Sequence, residues 1–160
     1  MGHEIERKFL VDTARWHPAG TGVTYRQGYL SSHPERVVRV RLEGDASKLT
    51  IKGPTTGVTR VELEYDIPLK DAEQLLELCE RPLIEKVRHT EEHGGKTWEI
   101  DVFGGDNEGL IVAEIELESE DEAFTAPPWA TAEVSHDPRY YNANLVKAPY
   151  RTWGPATRSG

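Results

Sequence analysis

The chain has 160 residues, 37% of them hydrophobic, with 14 glycines, a single cysteine and a formal net charge of −9. That length suits one domain able to bury roughly 70% of its unfolded surface, and the apolar share excludes wholesale disorder. The acidity argues against nonspecific binding to nucleic acid or to an anionic membrane.

Acids at Glu4 and Glu6 occupy the place where a signal peptide needs an apolar stretch. No apolar run approaches the roughly 18 residues of a membrane span. One cysteine, Cys79, allows neither an internal disulfide nor a cysteine-built zinc cluster. A reducing cytoplasm is the expected location.

In chain order, strict alternation of apolar and polar residues predicts strands at 4–10, 37–42, 61–65, 84–88, 98–103 and 113–117. Shorter alternations at 23–30 and 49–52 bring the set to about eight. Turns are expected at Gly44, Gly53-Pro54, Gly94-Gly95 and Gly104-Gly105-Asp106. A first helix is predicted from Asp71 through Leu78, with Asp71 and Gln74 as a capping box. A second is predicted from Ser119, capped in the same way, to a stop before Pro127-Pro128. A third is predicted over 138–147, where Asp137 caps a proline at the first helical position. Residues 1–147 then form one domain, and 148–160, without periodicity, a loose tail.

The polar stripe of these strands is unusual. Glu4, Glu6 and Lys8 share a face, as do Arg39 with Arg41, Glu62 with Glu64, Lys86 with Arg88, Glu99 with Asp101 and Glu114 with Glu116. On a helix, positions i and i+2 would diverge, so only strands unite these pairs. A stripe of this kind on one strand is most simply a solvated face. Repeated as like-charge pairs it is not, because two such charges about 6 Å apart cost roughly 3 kcal/mol at an effective dielectric near 20. Several uncompensated pairs would rival a whole folding stability of ~5–15 kcal/mol.

The pattern is accounted for if the sheet closes with its charged face inward. The expected fold is therefore α+β dominated by β: an eight-stranded antiparallel β-barrel tunnel with a charged interior and a few flanking helices. The apolar face then lies outside, covered by helices or by a second copy of the chain in a homodimer. Inside, Lys8, Arg39, Arg41, Lys52, Lys86 and Arg88 suit a compact polyanion. The acids Glu4, Glu6, Glu62, Asp101, Glu114 and Glu116 cannot touch a polyanion directly, but can hold Mg²⁺ or Mn²⁺ against it. The site reads as a metal-dependent polyphosphate binder.

These residues also carry a resemblance. Glu4-Ile5-Glu6-Arg7-Lys8 matches the Glu-x-Glu-x-Lys signature of the CYTH superfamily, the triphosphate tunnel metalloenzymes. Gln27-Gly28-Tyr29-Leu30, Val38-Arg39-Val40-Arg41-Leu42 and Leu49-Thr50-Ile51-Lys52-Gly53 follow in the family's order. So do Arg60 to Tyr65, Glu85 to Arg88, Trp98 to Phe103 and Glu114 to Leu117. The chain looks most like the short bacterial members, among which inorganic triphosphatases are the usual finding.

The resemblance implies that Lys8, Arg39, Arg41, Lys52, Lys86 and Arg88 hold a triphosphate, and that Glu114 and Glu116 bind the metal that orients it. Glu4 and Glu6 would hold a second metal or order the attacking water, with Glu62 and Asp101 at the same acidic end. Some short members pair the signature lysine with a tyrosine, here Tyr29, which a neighbouring lysine could help deliver a proton. Lys48 and Arg60 share the inward parity but are assigned no role.

The expected reaction is in-line attack of water on a phosphoanhydride. Other reactions of the fold are a class IV adenylyl cyclase and a nucleoside or thiamine triphosphatase; a non-catalytic polyphosphate-binding module is a third reading. The full Glu-x-Glu-x-Lys acids favour hydrolysis, because a pure binder of anions gains nothing from added negative charge. His89 and His93 form no convincing metal site. No phosphate-binding glycine loop, dinucleotide fingerprint or serine elbow occurs. Cys79 reads as a core residue, and Trp16, Trp98, Trp129 and Trp153 are not interleaved with a basic stripe that would stack nucleic acid.

Overall fold

The two-residue alternation closes a cylinder. A computed structural model describes residues 3–154. Its strands are β1 (His3–Val11), β2 (Val23–Ser31), β3 (Val37–Glu43), β4 (Ala46–Thr56), β5 (Thr59–Asp66), β6 (Ile84–His93), β7 (Lys96–Phe103), β8 (Ile111–Glu116) and β9 (Ala130–Glu133). Two helices, α1 (Leu69–Glu77) and α2 (Asn142–Lys147), lie among them. All pairings are antiparallel, in the order β5-β4-β3-β2-β6-β7-β8-β1, and β1 closes the ring by pairing with β5 through Glu4↔Arg60. The far half of the same β1 edge takes β9, through Phe9↔Glu133. No helix of the described residues is long and apolar enough to cross a membrane.

Turn chemistry sets most of the register. Gly94 and Gly95 both have positive φ, 58° and 77°, as a two-residue hairpin between β6 and β7 requires. Gly53-Pro54 is not the turn expected of it. The pair lies inside β4, where the register with β5 shifts between Lys52 and Thr55, and the chain reverses at Gly57 instead. A proline without an N–H is tolerated at such a bulge.

The helices differ from expectation in instructive ways. α1 starts two residues before Asp71, with Pro68 at its cap, so Asp71 sits in the first turn as a favourable charge on the helix dipole. Its Ala72 and Leu76 pack with Val40 and Cys79 on the outer wall. The segment from Ser119 forms only a turn: Glu122, the side chain that would complete its first turn, is taken by Lys96 and by the Glu118 N–H. The third helix is broken at Tyr141. A short 3₁₀ turn, Pro138–Tyr140, capped by Asp137, precedes the break, and α2 follows it.

Outside β1, β7 and β8, Phe9, Trp98, Ile100, Ala113 and Ile115 are covered by Trp16, Phe124 and Trp129, with Trp98 and Trp129 edge to face at 5.9 Å. The apolar residues are not all outside. At one end the inward positions are Tyr29, Val37, Ile84, Phe103 and Val112, and Val134, Tyr140, Leu145 and Val146 cap them. The barrel is thus stoppered there by an apolar floor. On the outer face of β5, Val61, Leu63 and Tyr65 stay 42%, 43% and 53% exposed.

Where a loose tail was expected, Tyr150–Thr152 forms a 3₁₀ turn and Trp153 packs edge-on to Tyr140 at 5.2 Å. The Tyr150 N–H donates to Asn107 Oδ1 at 2.8 Å. Residues 155–160 of that expected tail lie outside the described residues.

Candidate active site

Strand order sorts the inward charges into two half-cylinders. β4, β3, β2 and β6 are contiguous and bring Lys52, Arg39, Arg41, Lys86 and Arg88 to one wall. β7, β8, β1 and β5 are contiguous and bring Glu99, Asp101, Glu114, Glu116, Glu4, Glu6, Glu62 and Glu64 to the other. Lys8 and, at the rim, Arg60 are cations on the acidic side. Between the walls lies a cavity of about 350 Å³. Glu4, Glu6, Lys8, Tyr29, Arg39, Arg41, Lys52, Glu62, Lys86, Arg88, Glu114 and Glu116 all line it.

Asp101, expected among the metal ligands, does not reach the cavity. It is 2% exposed and buried behind Lys86 and Arg88. Lys86 Nζ lies 2.8 Å from one oxygen, and the Arg88 guanidinium grips both at 2.7 and 2.9 Å. Burial alone would raise the Asp101 pKa, but Lys86 and Arg88 hold it below the usual value. Its role is to anchor two cations.

Lys8 is similarly fixed. Its Nζ donates to Glu114 and stands 3.5 Å from Glu6. Burial opposes the ammonium, but Glu114, Glu6 and Glu4 outweigh it and lift the Lys8 pKa above that of an ordinary lysine. Burial would likewise raise Glu114, yet Lys8, Arg88 and Lys86 hold it well below the carboxylate range. Lys86 goes the other way: burial lowers it to about 8, Asp101 resists and Arg88 adds to the fall. Its Nζ also donates to Asn142 Oδ1 at 3.0 Å.

Tyr29 is not engaged by Lys8. Gln27 Nε2 donates to its hydroxyl oxygen at 3.0 Å, which leaves the phenolic hydrogen free to point elsewhere. Arg39 donates to Thr50 Oγ1 at 3.3 Å, and Thr50 to Glu64 at 3.2 Å. Lys52 holds Glu4 at 3.0 Å and lies 3.7 Å from Glu62.

The acidic wall has the chemistry of a cation site. Glu6 lies directly across from Glu116 in the ladder, and like charges placed so destabilise a sheet. Burial and then Glu114 raise the Glu6 pKa; burial and then Glu4, Glu62 and Glu6 raise that of Glu116. As they stand, no three of the described acid, histidine or cysteine side chains are grouped to hold an ion. The donors are carboxylate oxygens whose mutual repulsion a hard divalent cation would relieve, so the residues fit such a metal.

Sequence reasoning assigned no role to several lining residues. Glu64 and Glu99 were visible as partners of Glu62 and Asp101 on the same face. Arg60 lines the rim and donates to Gly53 O at 2.8 Å and Pro34 O at 3.2 Å. Asn142 had no sequence signal, because only the break at Tyr141 turns it into the barrel. Lys48 pairs with exposed Asp66 at 2.9 Å.

The family model for the CYTH domain matches residues 2–147. An inorganic triphosphatase of Acetivibrio thermocellus is 49% identical over 154 residues, spanning 96% of this chain and 99% of its own. An inorganic triphosphatase of Nitrosomonas europaea is 38% identical, spanning 89% of this chain and 96% of its own. The crystal structure of the inorganic triphosphatase NE1496 superposes with a TM-score of 0.64 at 36% identity, over 89% of this chain and 93% of that one. The PH1012 protein of Pyrococcus horikoshii, at 22% identity and a TM-score of 0.53 over 74% of this chain and 80% of its own, shares the fold.

Proposed function

The chain belongs to the CYTH domain family, and from that membership we propose that it is a metal-dependent hydrolase cleaving a phosphoanhydride bond of inorganic triphosphate. The observation that carries the reading is the division of one enclosed cavity into a cationic and an acidic wall. A polyphosphate needs the first, and the divalent cation that accompanies it needs the second. Residues 1–147 are taken as the catalytic domain.

Arg39, Arg41, Lys52, Lys86 and Arg88 bind and orient the phosphate groups, with arginine forks suited to paired phosphate oxygens. Lys8, kept charged by Glu114 and Glu6, neutralises phosphate charge from the opposite wall. Glu114, Glu116 and Glu62 are the proposed metal-holding acids, and Glu4 and Glu6 hold a second ion or order the attacking water. Mg²⁺ or Mn²⁺ supplies charge neutralisation and a lowered pKa for bound water. Positioning and electrostatics then do most of what phosphoryl transfer requires. Tyr29 is assigned the proton delivered to the departing phosphate oxygen, a role supported by the hydrogen that Gln27 leaves unengaged.

The test is phosphate release from tripolyphosphate. Turnover should require Mg²⁺ or Mn²⁺, stop with EDTA and fall at least a hundredfold in Glu6→Ala, the size of effect general catalytic groups supply. A metal-independent rate overturns the reading. Conversion of ATP to cyclic AMP would mark a cyclase, and tight binding without turnover a binding module. Two finer proposals accompany it. The lone cysteine supports a reducing cytoplasm, and the exposed stripe on β5 supports a homodimer, testable by sedimentation.

A further inference from the structure

Tyr25 carries a role in the phosphate site that the motifs do not assign. It projects inward from β2, directly opposite Lys86 on β6 and Glu43 on β3. The adjacent inward positions on those flanking strands are Arg88, across from Val23, and Arg41, across from Gln27. Both guanidinium groups lie over the Tyr25 ring, at 4.7 Å for Arg88 and 4.9 Å for Arg41, with Lys86 Nζ at 5.9 Å. Three cations of the binding wall thus converge on one aromatic ring from the two strands beside it.

Ordinary packing does not explain this convergence. Arg88 has Asp101 to hold it, but Arg41 has only Glu43 close by, at 2.8 Å, with Glu64 at 3.8 Å. Burial lowers the Arg41 pKa, and Arg39 and Arg88 lower it further, so these cations repel one another before any anion arrives. An aromatic face is a neutral group that attracts a guanidinium without occupying its N–H donors. A carboxylate in the same place would compete with the substrate for those donors.

We propose that Tyr25 is a positioning residue, whose ring holds the Arg41 and Arg88 guanidinium groups separated and aimed into the tunnel, adding no acceptor that competes with phosphate beyond Asp101, Glu99 and Glu43, which already hold them. The proposal deepens the triphosphatase reading and rests on it. Its test compares wild type, Tyr25→Phe and Tyr25→Leu with tripolyphosphate and Mg²⁺. Tyr25→Leu should raise KM roughly tenfold, with kcat changed less than about threefold, while Tyr25→Phe, which keeps the ring, should restore KM to within about threefold. An unchanged KM in Tyr25→Leu overturns the proposal, as does a Tyr25→Phe variant as impaired as Tyr25→Leu. If Tyr25→Leu fails to fold, Tyr25→Met takes its place with the same expectations. If wild type shows no turnover, the hydrolase reading fails, and calorimetry of tripolyphosphate binding still decides the matter. Roughly tenfold weaker binding in the ring-less variant then supports the positioning role, and equal binding overturns it.

Discussion

Glu6 on β1 stands directly opposite Glu116 on β8, two acids sharing one rung of the tunnel wall. Their facing charges predict an unusual variant. Glu116→Gln should stabilise the metal-free protein by roughly 0.2–1 kcal/mol, because it removes a like-charge cross-strand pair. The same change should abolish most of the rise in Tm that Mn²⁺ gives the wild type. Both carboxyls have raised pKa values, so their protonation favours the folded state, and the advantage of the variant should shrink as pH falls. Melting curves with and without Mn²⁺ check each point.

Asp101 predicts the opposite behaviour. Asp101→Asn leaves Lys86 buried without its ion-pair partner and Arg88 with only Glu99 at 3.2 Å and Glu114 at 3.9 Å, and stripping one partner from a buried ion pair costs about 3–5 kcal/mol. Urea unfolding should show that loss. Activity should fall with it, since both released cations belong to the binding wall.

Lys86 sets a pH limit. Its pKa is lowered to about 8 from an ordinary 10.5, so its ammonium is lost as pH rises through about 8. Tripolyphosphate affinity, measured by calorimetry without metal, should therefore weaken above that pH. Lys86→Arg should flatten the dependence. The stability sign is reversed: the folded state holds this proton more weakly than the unfolded chain does, so the Lys86 contribution to stability improves between about pH 8 and 10.5.

Gly28 lies on the outer face of β2, where an added Cβ would come within 2.7 Å of Cys79 Cβ and of Leu83 Cδ2. Gly28→Ala should cost about 1–3 kcal/mol through overpacking. Leu83→Ala, which removes the obstructing Cδ2, should offset part of that cost, as a double-mutant cycle of melts would show.

Alternation and like-charge pairing made the barrel legible, because strand after strand with a like-charged stripe is stable only where that stripe meets opposite charge across an enclosed space. Lys8, Arg39, Lys86 and Glu114 were therefore visible in the sequence as facing one cavity. Asp101 shares their parity, and pattern alone does not distinguish an acid that faces substrate from one buried behind two cations. The apolar floor was hidden for a related reason. Ile84, Phe103 and Val112 also share inward parity with the charges, and only their packing under Leu145 and Val146 shows where the wet interior ends. Gly53-Pro54 and Ser119 carried sound local signals that longer-range pairing overrode. Asn142 was invisible because its direction depends on one extended residue, Tyr141.

The stopper built from Val134, Tyr140 and α2 has a bearing on how long substrates are handled. A cylinder blocked at its far end cannot be threaded. An extended phosphate chain can offer it only a terminus, and each product must back out by the route along which its parent arrived. For the hydrolase proposed above, a blind-ended chamber would make trimming from the tip, with release between cuts, the mode of degradation of any longer chain.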